Sequence, residues 1–170
     1  MDKSARLLVF TLDERRYALR LDAVERVVQA VAVTPLPDAP EVVLGIINVQ
    51  GRIIPVINMR ACFRLQAKRM GLSDQFIISS TARRTFALVA DAVLGVVECP
   101  DERVVPARAI LPDMERVEGV MILADGMILI SDMDKILSLG DEAVLGDTLE
   151  KHGYPGAQAG EEWQGQGNEL

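Results

Sequence analysis

Two stretches of this 170-residue chain read alike, and the likeness limits the folds open to it. Arg15-Arg16-Tyr17-Ala18-Leu19 leads into Asp22-Ala23-Val24-Glu25-Arg26-Val27-Val28. Arg83-Arg84-Thr85-Phe86-Ala87-Leu88 leads into Asp91-Ala92-Val93-Leu94-Gly95-Val96-Val97. Each runs from a polar hairpin tip through a strand into Asp-Ala-Val-x-x-Val-Val. The alternatives are coincidence among Val-rich strands, or two related halves. The second means two small β-barrels packed together, each closing its own edges.

The run Gly45-Ile46-Ile47-Asn48-Val49-Gln50-Gly51-Arg52-Ile53-Ile54-Pro55-Val56-Ile57 is a hairpin turning at Gln50-Gly51, where glycine supplies the positive φ of a tight turn. Pro55 cannot donate to a ladder, so its strand is expected to lie at an edge or to carry a bulge. Gln50 is then held out at a stiff tip, an arrangement that suits gripping another protein. Val42, Val43, Ile46, Ile47 and Val49 cannot all face one core, because alternate strand residues point to opposite faces. Either this strand is buried on both sides, or part of it lines an apolar groove between the barrels.

Other segments give short strands as well. Residues 6–12 and 16–21 flank a polar turn, and 75–81 and 85–89 flank Arg83-Arg84. Residues 118–123 and 127–130 flank Ala124-Asp125-Gly126, a strong hairpin signal. Strands are also expected at 91–99 and 103–107. Residues 22–29 fit either a helical turn or a strand. The proline-rich 34–40 reads as a rigid extended loop. Short helices are expected at 59–65 and 132–139, the latter capped by Asp132. The fold class is mainly β: two packed barrels with short helices. One folded domain over residues 1–139 is expected, its halves meeting near 66–74.

Seven acids and one lysine fall between residues 140 and 170, together with seven of the thirteen glycines. This segment reads as an acidic flexible tail in which 142–152 form a transient helix, and Trp163 reads as a docking anchor or, as its surroundings favour, an incidental residue.

A net charge of −7 without a cluster of Lys and Arg argues against nucleic acid. No apolar run reaches the roughly 20 residues of a membrane span, so neither membrane insertion nor a signal peptide is expected. Cys62 and Cys99 are expected as buried free thiols of a cytoplasmic protein. The one histidine, His152, lies in the tail, which removes the usual general base and metal ligand from the folded part. Phosphate-loop, Cys-x-x-Cys and nucleophile-elbow motifs are missing from the sequence. The carboxylate pairs Asp13/Glu14, Asp101/Glu102 and Asp132/Asp134 are explained by turns, solvation and helix ends. No catalytic residue, cofactor or metal is expected.

Pro37-Asp38-Ala39-Pro40, Gly45-Ile46-Ile47-Asn48-Val49-Gln50-Gly51, Pro55 and Asn58-Met59-Arg60 occur in an order that resembles the CheW-like family of bacterial chemotaxis coupling proteins. Leu8-Val9-Phe10-Thr11-Leu12, Tyr17-Ala18-Leu19, Val89-Ala90-Asp91-Ala92-Val93 and Asp132-Met133-Asp134-Lys135-Ile136-Leu137 extend the likeness over residues 6–139. The resemblance implies two five-stranded SH3-like barrels. It also implies a non-enzymatic adaptor that joins the cytoplasmic tip of a chemoreceptor to the regulatory domain of a CheA-type histidine kinase. The receptor would use the groove between the barrels, and the kinase the end of one barrel. A CheW-like competitor or spacer that does not activate the kinase is the alternative.

The residues expected to meet partners are Arg26, Val27, Val43, Ile46, Asn48, Val49, Gln50 and Gly51. Two of them depart from the family pattern, which usually has arginine where Gln50 stands and often glutamate where Arg26 stands. If the two positions face each other, an arginine–amide contact replaces an ion pair. Such a chain would be a specialised paralogue.

Overall fold

The computed structural model describes residues 4–112, 116–137 and 139–154. Eleven strands form two sheets among them. The strands are β1 (Ser4–Leu12), β2 (Arg15–Arg20), β3 (Val24–Gln29), β4 (Val43–Val49), β5 (Arg52–Ile57), β6 (Gln75–Ser80), β7 (Thr85–Ala90), β8 (Ala92–Pro100), β9 (Val104–Pro106), β10 (Val117–Leu123) and β11 (Gly126–Ser131). Short helices α1 (Met59–Cys62), α2 (Ala107–Ile110) and α3 (Met133–Ile136) follow β5, β9 and β11, and α4 spans Leu139–Lys151. One sheet runs β3-β6-β7-β5-β4 and the other β8-β1-β2-β11-β10-β9. The two expected barrels are thus present, the second with six strands because the three-residue β9 adds to one edge. The ambiguous 22–29 resolves into both options in turn, a 3₁₀ turn at Leu21–Ala23 and then β3.

The repeat is structural, and it reaches further than the two similar stretches. β2 and β7 lie parallel to β11 and β5, with Ala18 opposite Ile130 and Ala87 opposite Val56. β4 and β10 each slip register beside a glycine, between Val43 and Gly45 and between Val117 and Gly119. A side chain at Gly45 (φ 153°) would run into the Thr34 carbonyl, and one at Gly119 into Val104 and Val105. Each glycine therefore lets a neighbouring segment lie against its hairpin. Asn58 and Asp132 cap the equivalent helices α1 and α3.

Each sheet nevertheless draws strands from both halves of the chain. β1–β2 joins β10–β11, and β6–β7 joins β4–β5. The expected meeting point near 66–74 therefore separates no sheet from the other. The long apolar stretch of β1 has the same origin. Leu8, Phe10 and Leu12 face the larger core with Tyr17 and Leu19, while Leu7 and Val9 face a smaller one with Ala18, Ile128 and Ile130. A strand buried on both faces has no polar side to show.

Two expectations are corrected. Pro55 is not on an edge strand, because β5 lies between β4 and β7. The N–H and C=O of Ile46, opposite Pro55, both bond Thr34 on the outer side, at 2.9 Å. Ile46 and Pro55 thus meet at a non-hydrogen-bonded site, and the ladder to β7 begins only at Val56, so no donor is missed. The bulge is in the partner strand, β4.

The segment from residue 140 is not a flexible tail as far as it is described. Leu145 and Leu149 of α4 are fully buried in the larger core, the buried Arg84 donates to Glu142 at 2.6 Å, and Thr148 donates to the Asp38 carbonyl. Trp163 lies outside the described residues. Among the described residues no helix is long and apolar enough to cross a membrane.

Candidate functional site

The Gln50-Gly51 turn has positive φ at both residues, 52° and 84°, the geometry that matches the twist of a two-residue hairpin. The Asn48 side chain accepts from the Gly51 N–H at 2.8 Å and holds the turn closed. β3 ends the same sheet, and its exposed Arg26 reaches across to donate from Nη2 to Gln50 Oε1 at 3.5 Å. The conditional expectation that these two positions face each other is met, by a long and therefore weak contact.

Beside this pair is a stronger network that the sequence did not single out. Arg52 Nη1 donates to Glu25 Oε2 at 2.9 Å, Arg52 Nη2 to Thr85 Oγ1 at 2.9 Å, and Ser80 Oγ to Glu25 Oε1 at 2.7 Å. The Arg52 hydrogen bonds, helped by Ser80, hold the Glu25 carboxyl below its ordinary range against the effect of partial burial. The signal was available, since Glu25 adjoins Arg26 and Arg52 lies two residues beyond Gln50. The cation and anion that the family pattern leads one to seek at 50 and 26 stand instead at 52 and 25.

The remaining expected site residues divide by burial. Arg26, Asn48 and Gln50 are exposed, while Val27, Val49 and Gly51 are half-buried. Val43 and Ile46, 8% and 4% exposed, are side chains of the larger core. The groove-or-core choice for these two is settled as core, because β4 packs inward at its bulge and Thr34 bridges its outer edge.

A second cluster ties the sheets together. Arg60, in α1, donates to Asp13 Oδ1 at 2.8 Å and to Asp91 Oδ2 at 2.7 Å, and the Asp13 N–H also reaches Asp91. Burial works against the Asp91 charge, but Arg60, the Asp13 amide and Lys68 outweigh it and keep the carboxyl below its ordinary value. Cys62 and Cys99 are buried free thiols, and burial pushes the Cys62 thiol up to about 11 despite the charge of Arg116. Such a thiol is protonated and inert. Among the described residues no group of His, Cys, Asp and Glu could hold a metal ion.

The CheW-like domain model matches residues 6–140, which contain both sheets and the hairpin just described. The chain belongs to the CheW-like family. It is 26% identical over 132 residues to the chemotaxis protein CheW of Rhizobium meliloti, covering 76% of this chain and 85% of that one. It is 28% identical over 141 residues to CheW of Thermotoga maritima, covering 79% and 89%. Among solved structures, the scaffolding protein TtCheW of Thermoanaerobacter tengcongensis is similar to this CheW-like chain with a TM-score of 0.74 and 30% identity. The match covers 83% of this chain and 96% of that one.

Proposed function

We propose that this chain is a non-enzymatic chemotaxis adaptor that couples chemoreceptors to a CheA-type histidine kinase. The observation that carries the proposal is the unbroken CheW-like match over residues 6–140, with a scaffolding protein of the same fold among its structural relatives. The protein acts in the cytoplasm at receptor arrays. The receptor's cytoplasmic tip meets the surface where the two sheets adjoin, and the kinase's regulatory domain meets the exposed tip formed by Arg26, Asn48 and Gln50. Val27, Val49 and Gly51 contribute from the half-buried rim, and Val43 and Ile46 support the tip from the core.

The neutral Arg26–Gln50 contact sets this tip apart. A carboxylate at 26 facing a guanidinium at 50 would be self-satisfied, whereas here, among the described residues, the guanidinium donates to an amide oxygen at 3.5 Å, and the nearby Glu25 carboxylate is held by Arg52. The Arg26 charge is available to an acidic group on the partner. This chain is therefore a specialised paralogue whose receptor or kinase differs from the standard set.

Kinase autophosphorylation in a reconstituted receptor–kinase mixture tests the reading. Activation on adding the chain supports coupling. Inhibition supports the competitor or spacer role. Failure to bind either partner from any receptor–kinase set of its own genome refutes both.

A further inference from the structure

The internal two-fold pairs Arg60 and Asp91 of the clamp with counterparts in the other half, while the β6–β7 turn, Thr81 to Arg84, holds no acid to match Asp13. The register equates Ile57 with Ser131, hence Asn58 with Asp132 and Arg60 with Asp134. It equates Ala87 with Ala18, hence Asp91 with Asp22. In the first half, the Arg60 guanidinium bonds Asp13 and Asp91, and the open pocket of about 960 Å³ beside them is also lined by the cations Arg15, Arg64 and Lys68. In the second half the acid is kept as Asp22, but the arginine is replaced by Asp134. A cleft of about 490 Å³ lies open there, between the β6–β7 turn and α3.

The charge of this cleft is unbalanced. Its carboxylates are Asp22, Glu118, Asp132 and Asp134. Arg20 is committed to Glu118, and Lys135 lies 3.9 Å from Asp132. Asp22 and Asp134 have no ion pair among the described residues. Ser131 also lines the cleft, 2% exposed, with a hydroxyl that has no hydrogen-bond partner among the described residues. By strand alternation Ser131 shares the face of Leu129, away from the smaller core filled by Ile128 and Ile130. Its counterpart Ile57 is simply core. A buried hydroxyl in place of isoleucine is unfavourable unless something bonds it.

We propose that this cleft is a docking site for an arginine side chain of a partner protein, which restores from outside the guanidinium that Arg60 supplies in the other half. The planar fork suits two carboxylates and a hydroxyl better than a compact ammonium does. The last sixteen residues of the chain hold no lysine or arginine, so they cannot supply the cation. The proposal rests on the adaptor reading only in taking the occupant to be a protein.

The test titrates the full chain with Nα-acetyl-arginine amide and with its lysine and citrulline counterparts, followed by amide NMR shifts. Shifts centred on Asp22, Ser131 and Asp134, stronger for arginine than lysine and missing for citrulline, are expected. An Asp22→Asn/Asp134→Asn double variant, folded because both side chains are exposed, should weaken binding about tenfold or more. Asp134→Arg should rebuild the clamp, abolish the response and raise Tm. Equal responses to citrulline or lysine, no response to arginine, or indifference to the double variant would overturn the proposal. Receptor and kinase binding are scored on the same samples. A chain that takes the arginine probe but couples to neither partner refutes the adaptor reading alone, and the converse refutes the cleft alone.

Discussion

Arg60 illustrates how one side chain fixes the relation of three chain segments. It joins α1 to the β1–β2 turn at Asp13 and to the β7–β8 corner at Asp91. Arg60→Ala leaves Asp91 without its main partner and should cost about 3 kcal/mol in denaturant unfolding. The folded-state value of Asp91 is depressed, so its contribution is complete above the ordinary carboxylate value near pH 4 and is lost as pH falls through the lower, folded value. Glu25 acts in the same direction. Stability should therefore decline on acidification, and Asp91→Asn should flatten that decline when melts are compared across pH.

At the hairpin, Val43→Asp should abolish the folded state, because it buries an unpaired charge in the larger core. Gln50→Arg should leave the melt nearly unchanged but set two cations face to face and alter partner binding. Arg26→Glu together with Gln50→Arg should relieve that repulsion, and a double-mutant cycle on binding measures the coupling. Binding to the standard receptor–kinase set that is unaffected by these changes would remove the case for a specialised paralogue. The departures of 26 and 50 from the family pattern raised their facing only as a condition, which the Arg26–Gln50 contact meets. The Arg60 clamp was not legible, because the partners of a lone arginine depend on which corners the fold brings together.

Among the elements, the hairpins were legible because a turn and its flanking alternation are local. Partnership between hairpins was not, since a period of two says which face is buried but not against what. The helix α4 was read only as transient, for another reason. Acids and glycines dominate its composition, yet Leu145 and Leu149, one helical turn apart, carry it into the larger core. Leu149→Ala should cost about 3 kcal/mol in denaturant unfolding, an effect that a loose tail would not produce. The Pro55 strand was misplaced because the rule that proline sits at edges concerns a donor facing a neighbour. At Pro55 the missing donor points to where the β7 ladder has not begun.

On the scale of the whole molecule, the two cores share β1 and β2 as a common wall, with apolar side chains on both faces. Unfolding should accordingly be one cooperative transition, with fluorescence and far-UV CD melts coinciding. Neither half of the chain, cut between residues 66 and 74, should give a dispersed amide spectrum by itself, while the mixed halves should. The repeat in the sequence revealed two related units, but similar units exchange partners or keep them with the same local pattern, so the exchange was not readable.

The exchange sets an order of events during synthesis. β2 finds its parallel neighbour only when Ile128 to Ile130 have been made, and β1 finds β8 only once residues 92–100 exist. Until then the first hairpin emerging from a ribosome has both outer edges unpaired and no sheet to join. Those edges should stay open to chaperones until residue 130 has been made, and protease sensitivity of nascent chains stalled before and after that point checks it.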